Sequence, residues 1–329
     1  MQYRILGKTK ISVSEIGFGA WAIGGSMWGG AKDEESLKAL RMALDCGVNF
    51  IDTAASYGDG HSEQLIAKIR SSSVGKITIA TKIPPKNWQW PAKSNSRISE
   101  IFPRKWIRDQ TENSLRNLKT DCIDLQQLHV WSASWAHETD WLEEFFRLKK
   151  EGKIRHFGIS LNDHDPDSAL EIVKAGVIDS VQVVYNIFDQ SPEDQLFSAA
   201  GKNNVGIIVR VPLDEGSLTG KFTTETKFPQ GDFRQWYFSP EILPQVISRV
   251  EKIKKTFENE APSNKIPSNE TPSLAQSALQ FCLSHPAVST VIAGMRNARQ
   301  VKENTDASTG IPLPAKLLQT LKIHRWIRK

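Results

Sequence analysis

The sequence predicts an α/β fold, a (β/α)8 TIM barrel with an N-terminal β-hairpin and long loops at its C-terminal face. Eight apolar, strand-like segments are each followed by residues with helical spacing of apolar side chains. Several of these segments are nearly continuous in apolar and β-branched residues, which is typical of parallel strands covered on both faces. A barrel of ~250 residues with insertions fits the length, which is 329 residues. An open doubly wound sheet remains the alternative.

The elements follow one another in a regular order along the chain. Two short alternating stretches, near residues 2–5 and 11–13, predict the hairpin. The predicted barrel strands are Ile16–Trp21, Val48–Asp52, Ile77–Lys82, Ile123–His129, Ile154–Ser160, Ser180–Asn186, Val205–Val211 and Thr290–Ala293. The predicted helices are Glu34–Cys46, Ser62–Ile69, Arg104–Leu118, Thr139–Lys150, Pro166–Ala175, Pro192–Lys202 and one from about Asn297.

Two long stretches interrupt this rhythm. Residues 84–103 form a predicted loop directly after the third strand, and an irregular insertion covers about residues 212–271. Within the insertion, Glu241–Phe257 has a helical pattern, whereas Asn259–Thr271 is rich in Pro, Ser and Asn and predicts a mobile surface loop. Thr271 and Pro272 then predict the N-cap and first residue of a helix. We expect one domain spanning residues 1–329.

Composition excludes several classes of protein. The net charge of +5 comes from 42 basic and 37 acidic residues, spread along the chain. No basic block marks a nucleic-acid partner, and no apolar run approaches the ~18 residues that span a membrane. The three cysteines, Cys46, Cys122 and Cys282, lack CxxC spacing. We expect a cytoplasmic protein without a bound metal; its oligomeric state is not set by the sequence.

Three polar residues, Asp52, Lys82 and His129, end three successive predicted strands, and Tyr57 lies in a turn five residues after Asp52. Barrel topology brings strand ends to one face. A phenol with a pKa near ~10 is a poor acid at neutral pH, but a nearby ammonium lowers that pKa. A carboxylate can hold the lysine, and a histidine can orient a carbonyl oxygen. Singly, each residue is more often structural; together they predict a proton-donating site.

Two segments carry a resemblance to the aldo-keto reductase family. Gly47–Ala54, continued through Tyr57 to Glu63, resembles the first family signature, and Asn113–Leu118 with Asp121–His129 is similar to the second. The resemblance, to bacterial-type members, implies NADPH-dependent reduction of an aldehyde or ketone. It implies Tyr57 as general acid, Lys82 as the residue that lowers its pKa, Asp52 as partner of Lys82, and His129 as the group that orients the carbonyl. Cys122, Gln126 and Gln127 depart from the usual residues near His129.

The cofactor prediction also rests on this resemblance. No GxGxxG motif follows a strand, so a Rossmann site is not supported. The resemblance instead implies an extended NADP(H) across the barrel mouth, with Arg296 at the 2′-phosphate favouring NADP(H) over NAD(H). The carboxamide would be held by Ser160, Asn162 and Gln182, and the nicotinamide stacked by Arg210. The pyrophosphate would be covered by Pro212, Leu213, Gly216, Ser217, Leu218 and Lys221. The adenosine phosphate would be held by Gly294, Arg296, Gln300, Glu303 and Asn304.

Four tryptophans are predicted near the mouth and are candidates for substrate binding: Trp21, Trp88, Trp90 and Trp131. An aromatic pocket would suit an aromatic or bulky apolar carbonyl, although loop packing explains the same residues equally well. One alternative function is a cofactor-binding regulatory subunit similar to potassium-channel β subunits. A metal-dependent hydrolase is disfavoured because His129 is the only histidine at a predicted strand end.

Overall fold

The computed structural model describes residues 1–70, 77–260 and 272–328. The chain begins with the predicted hairpin, in which β1 (Tyr3–Ile5) pairs antiparallel with β2 (Ser12–Ser14). Leu6 and Val13 are fully buried and pack against barrel residues that include Phe50 and Leu125. The hairpin therefore closes the end of the barrel opposite to the carboxyl ends of the strands.

Eight parallel strands form a closed barrel, which confirms the predicted fold class and excludes the open doubly wound sheet. The barrel closes where the last strand pairs with both the first and the seventh, since Val291 lies opposite Ile16 on one side and Val209 on the other. The strands are β3 (Ile16–Gly19), β4 (Phe50–Asp52), β5 (Thr78–Ile83), β6 (Ile123–Leu128), β7 (Ile154–Ser160), β8 (Ser180–Val184), β9 (Gly206–Arg210) and β10 (Val288–Gly294).

The helices surround the barrel and agree with the predictions to within a few residues, except where proline begins a segment. At Pro166 and near Pro192 a short 3-10 turn comes first, so the α-helix is shorter than predicted. The helices are α1 (Asp33–Asp45), α2 (His61–Arg70), α3 (Ile98–Ile101), α4 (Arg104–Leu118), α5 (Asp140–Lys150), α6 (Leu170–Lys174), α7 (Leu196–Lys202), α8 (Arg234–Tyr237), α9 (Leu243–Glu260), α10 (Leu274–Ser284), α11 (Ala298–Asp306) and α12 (Ala315–Leu321).

The insertion is more ordered than its composition predicts. A 3-10 segment, Asp214–Thr219, follows β9, and α9 continues to Glu260, so the start of the predicted mobile loop is helical. Residues 261–271 of that loop lie outside the described residues. The predicted helix start at Thr271 and Pro272 is wrong, because α10 has its N-cap at Ser273, where the Ser273 hydroxyl and the Gln276 side chain form a reciprocal capping box.

Side chains inside the barrel change from apolar to polar toward the carboxyl ends of the strands. Phe50, Ala80, Leu125 and Ile208 belong to an apolar layer. Because side chains on one face of a strand recur every second residue, the next layer consists of Asp52, Lys82, Gln127 and Arg210. The sequence periodicity therefore places a set of charged and amide groups at the barrel mouth. No helix in the described ranges is both long and apolar enough to cross a membrane.

Candidate active site

Lys82 lies at the centre of the polar layer with its ammonium group fully bonded. Its Nζ donates to Asp52 Oδ2 at 2.5 Å, to the Thr53 carbonyl oxygen at 2.9 Å and to the Tyr57 hydroxyl oxygen at 3.2 Å. Three donors meet three acceptors, which is what a buried ammonium requires. The Tyr57 oxygen is an acceptor in this contact, so its own hydrogen remains free to be donated.

Asp52 is held in place by two amides as well as by Lys82. Gln182 Nε2 donates to Asp52 Oδ1 at 2.8 Å, and Gln127 Nε2 lies 3.4 Å from the same oxygen. The sequence identified Gln127 only as a departure from an apolar position. Its spacing of two residues from the buried Leu125 was a signal that it points into the barrel. These contacts fix the carboxylate that neutralises Lys82.

The pKa of Tyr57 is raised above its ordinary value, whereas the sequence predicted that it would be lowered. Burial of the phenol raises this pKa most, the charge of Lys82 lowers it, and the charge of Asp52 raises it again. Lys82 thus acts in the predicted direction, but burial outweighs it. The prediction of a net lowering is wrong, and Tyr57 is a neutral, protonated phenol at neutral pH.

His129 lies beside Tyr57 as a neutral imidazole. Their ring centroids are 5.7 Å apart, and His129 Nδ1 is 3.3 Å from the Ser56 hydroxyl oxygen. Burial, followed by the charges of Lys82 and Arg210, holds the pKa of His129 well below its ordinary value. If the Ser56 hydroxyl donates to Nδ1, the hydrogen is on Nε2 and is free for a carbonyl oxygen. Ser56 was not identified from the sequence.

Three of the four predicted tryptophans stand around this pair. Trp21 stacks on Tyr57 with centroids 6.0 Å apart and an interplanar angle of 25°. Trp90 contacts His129 edge to face at 5.7 Å, and Trp88 contacts Trp90 at 5.9 Å. Phe233, from the insertion, packs on Trp21 at 4.7 Å and was not predicted. Aromatic rings therefore flank the pair formed by Tyr57 and His129 on two sides.

Trp131 is placed differently from the other three, and its predicted contact with substrate is wrong. Its side chain has 0% exposure, and its Nε1 donates to the Ser168 carbonyl oxygen at 3.0 Å. Its ring packs edge to face against Trp135 and Trp141. Trp135 lies in a 3-10 segment after β6 and Trp141 in α5, and all three tryptophans belong to the hydrophobic core. Sequence position two residues beyond His129 does not reveal which way the side chain turns.

Comparison with known proteins decides the family. A sequence profile described as the Aldo/keto reductase family matches residues 15–325. The chain belongs to this family. It is 30% identical over 311 residues to the aldo-keto reductase YhdN of Bacillus subtilis, covering 92% of this chain and 87% of that protein. It is 27% identical to the NADH-specific methylglyoxal reductase of Escherichia coli over 311 residues, 92% of each chain.

A solved structure shows the same fold. The holo form of aldo-keto reductase AKR11C1 from Bacillus halodurans superposes with a TM-score of 0.75 at 28% identity, covering 100% of this chain and 97% of that one. Members of the family are oxidoreductases that bind nicotinamide cofactors. The present chain is therefore an aldo-keto reductase.

In this aldo-keto reductase, three predicted cofactor residues lie on adjacent strands. Ser160 on β7 pairs with Gln182 on β8, and Arg210 ends β9. Arg210 Nη2 donates to the Leu161 carbonyl oxygen at 2.9 Å and to Asp163 Oδ1 at 2.6 Å. Its Nε is buried without a hydrogen-bond partner among residues 1–70, 77–260 and 272–328. A buried donor of this kind at the mouth fits a polar or anionic ligand.

Asn162 makes contacts that compete with its predicted role. Its Oδ1 accepts from the Ala92 amide at 3.0 Å, and its Nδ2 donates to the Ala92 carbonyl oxygen at 3.3 Å. Both ends of the amide are thus used to hold the loop of residues 84–103. Asp163, the next residue, was not predicted; it pairs with Arg210, and that guanidinium lowers the pKa of its carboxyl group.

The remaining predicted cofactor residues of the reductase form a rim between the loop after β9 and α11. Arg296 receives two supports, since its amide donates to Gln300 Oε1 and its Nη1 donates to the Trp28 carbonyl oxygen, both at 2.8 Å. Asn304 Nδ2 donates to the Gly294 carbonyl oxygen at 3.3 Å. Within the loop itself, Pro212, Ser217 and Leu218 are buried, and Leu213 and Gly216 are half-buried.

One ion pair spans this rim. Lys221 Nζ, at the end of the loop, lies 3.8 Å from Glu303 Oε2 on α11. Loop and helix are thereby joined beside the end of β10. Because β9 and β10 are neighbours in the barrel, the loop that carries Lys221 and the helix that carries Glu303 lie on the Arg210 side of the mouth.

Proposed function

We propose that this aldo-keto reductase reduces an aldehyde or ketone to the alcohol by hydride transfer from NADPH, with Tyr57 as general acid. The observation that carries the proposal is the contact between Lys82 Nζ and the Tyr57 oxygen at 3.2 Å. It leaves the phenolic hydrogen free and places a positive charge where phenolate would form. His129 supplies a neutral donor beside it.

The side chains have distinct tasks in this proposal. When bound, the nicotinamide supplies the hydride that reaches the carbonyl carbon. His129 donates a hydrogen bond to the carbonyl oxygen and fixes its position. Tyr57 then transfers its proton to the developing alkoxide oxygen and becomes a phenolate. Lys82 stabilises that phenolate, and Asp52 keeps Lys82 charged and in place.

We further propose NADP(H) as the cofactor, because Arg296 is rigidly held at the rim. Its contact to Trp28 uses Nη1 and leaves the rest of the guanidinium for the 2′-phosphate. Ser160 and the side-chain oxygen of Gln182 are the candidates for the carboxamide, and Arg210 for the nicotinamide face. Family membership alone does not set this preference, because one relative is named as NADH-specific.

The rings around the catalytic pair suggest the substrate class. Trp21 and Trp90 flank Tyr57 and His129, and Trp88 is 54% exposed at the outer edge. We propose a small-molecule carbonyl substrate with an aromatic or bulky apolar group, which these rings would bury. We also propose a cytoplasmic location, consistent with three free cysteines.

The test is the Tyr57→Phe variant, assayed by NADPH consumption with aromatic aldehydes and by NADPH fluorescence titration. We expect turnover to fall by about 10²- to 10⁴-fold, the usual contribution of a general acid, while NADPH binding is retained. Tyr3→Phe is the matched control, because Tyr3 is an exposed phenol on the hairpin.

Two results would count against the proposal. Full turnover by Tyr57→Phe would remove Tyr57 as the acid. NADPH binding without turnover of any aldehyde, ketone or sugar by the unaltered protein would favour the regulatory-subunit alternative.

A further inference from the structure

The loop after β9, residues 211–221 and here named the cofactor loop, has a backbone that needs external support. Val211 has φ +54°, Asp214 +46°, Glu215 +53° and Gly216 +100°. Left-handed φ is costly for residues with a Cβ and most of all for a β-branched one. Such conformations persist only where surrounding contacts impose them. Contacts that stabilise this loop must therefore come partly from other segments.

Asp214 is where those contacts meet. Its side chain is 4% exposed. The Ser217 hydroxyl donates to Oδ2 from within the loop. The Tyr237 hydroxyl, from α8, donates to Oδ1 at 3.1 Å, and Arg328 donates to the same oxygen. One buried carboxylate thus joins the cofactor loop, the insertion and the segment after α12.

Arg328 is held against Asp214 by its own surroundings. Its guanidinium carbon lies 4.4 Å from the centroid of the Tyr237 ring and 5.2 Å from that of Phe238. The side chain is 10% exposed. Burial lowers the pKa of Arg328 to about 10, so it remains charged at neutral pH. The charge of Asp163 opposes this lowering of the pKa.

The segment that carries Arg328 is attached to the barrel at two earlier points. The Trp326 amide donates to the Phe188 carbonyl oxygen at 2.8 Å, and the two rings are in edge-to-face contact. Arg325 pairs with Asp194 through both of its terminal nitrogens. Within the described residues, the Arg325 guanidinium makes its hydrogen bonds to Asp194 and none to the cofactor loop, whereas Arg328 bonds directly to the loop.

We propose that Arg328 is a positioning residue for cofactor retention: its ion pair with Asp214 holds the cofactor loop over the bound dinucleotide and slows its release. This inference rests on the proposed function, in which Pro212, Gly216 and Ser217 cover the pyrophosphate. Removing Arg328 leaves Asp214 buried beside Tyr237 and Ser217 without its opposite charge, which favours opening of the loop.

The experiment compares Arg328→Ala, Arg328→Lys and the matched control Arg325→Ala in the full chain. NADPH dissociation is measured by stopped-flow fluorescence after displacement by excess NADP⁺. KM for the carbonyl and the single-turnover rate of the preloaded enzyme are measured alongside. We expect Arg328→Ala to speed dissociation by about tenfold or more, the size of a lost hydrogen bond to a charged group. The other two parameters should not change, Arg328→Lys should recover part of the loss, and Arg325→Ala should match the unaltered protein.

Asp214→Asn is the second variant, because it removes the negative charge of the same ion pair while keeping the shape of the side chain. This variant should release NADPH faster than the unaltered protein. It tests the role of the ion pair if Arg328→Ala does not fold. Unchanged dissociation in these variants would overturn the inference, as would an equal increase in Arg325→Ala. Failure of the unaltered protein to bind NADPH would overturn the proposed function as well. This result is distinguishable from unchanged dissociation in the variants, because it is seen in the unaltered protein alone.

Discussion

At the scale of single residues, Lys82 has its three ammonium hydrogens shared among Asp52, Thr53 and Tyr57. This arrangement explains how a charge with 1% exposure is tolerated inside a barrel. It also sets the direction of hydrogen bonding at Tyr57, whose oxygen accepts and whose hydrogen is left for a substrate. The availability of the Tyr57 hydrogen thus follows from the direction of the hydrogen bond donated by Lys82, and not from a lowered pKa of the phenol.

Arg296 provides the residue-scale prediction on cofactor choice. Arg296→Ala should raise the Kd of NADPH by about tenfold or more, since a charge-assisted contact to phosphate is lost, and should leave the Kd of NADH nearly unchanged. Fluorescence titration with both cofactors measures this difference. Arg299→Ala, an exposed arginine on α11, is the control. Equal losses for NADPH and NADH would rule out a 2′-phosphate contact.

At the scale of elements, the active site depends on how α2 packs against α4. Gly60 comes directly before α2 and has φ +83°. A Cβ at Gly60 would lie 2.3 Å from Asn117 Nδ2. Asn117 on α4 donates to Glu63 Oε2 at 2.9 Å, and the other oxygen of Glu63 accepts from Thr81 beside Lys82. A glycine at this position therefore permits the contact that joins the Tyr57 loop to the Lys82 strand.

The element-scale prediction compares two glycines. Gly60→Ala and Gly152→Ala both place alanine at a positive φ, but a Cβ at Gly152 meets nothing within 4 Å. The free energy of unfolding should fall by ~1–3 kcal/mol more in Gly60→Ala, which is the usual cost of overpacking. Urea denaturation measures both values. Equal losses of unfolding free energy in the two variants would mean that a clash with Asn117 adds nothing to the cost of placing alanine at a positive φ.

At the scale of the whole molecule, the insertion is part of the barrel core. Leu218, Phe238, Val246 and Val250 are buried in the same hydrophobic cluster as Phe18 of the first barrel strand. Residues of the segment after α12 pack on the barrel as well, through Trp326 and Arg328. Elements distant in sequence therefore share one core, which supports a single domain over residues 1–329.

The whole-molecule prediction is one cooperative thermal transition. Scanning calorimetry should show one peak for the full chain, because separate melting of the insertion would expose the shared core. Val250→Ala should lower the temperature of that peak, while Lys255→Ala, at an exposed position on the same helix, should not. A separate low-temperature transition that Val250→Ala alone shifts would show that the insertion unfolds as its own unit.

Sequence periodicity by itself determined the βα order, the eight strands and the ends at which Asp52, Lys82 and His129 lie. These features depend on the local spacing of apolar and polar residues, which can be read directly from the sequence. Only the tertiary structure decided that Gln127 and Ser56 support the site, that Trp131 is buried, and that Asn162 holds a loop. Side-chain orientation at the end of a strand depends on neighbours far away in sequence, so no local pattern records it.

For the same physical reason, the sequence indicated the position of the cofactor loop but not its contacts with distant segments. The family resemblance located the loop after β9, but only the tertiary structure shows that Tyr237 and Arg328 bond to Asp214 within it. Burial likewise reversed the expected pKa shift of Tyr57, because desolvation depends on everything packed around the phenol and the sequence supplies only the lysine. Local pattern determined which groups reach the barrel mouth; the packing of distant segments decided their protonation and their hydrogen-bond partners.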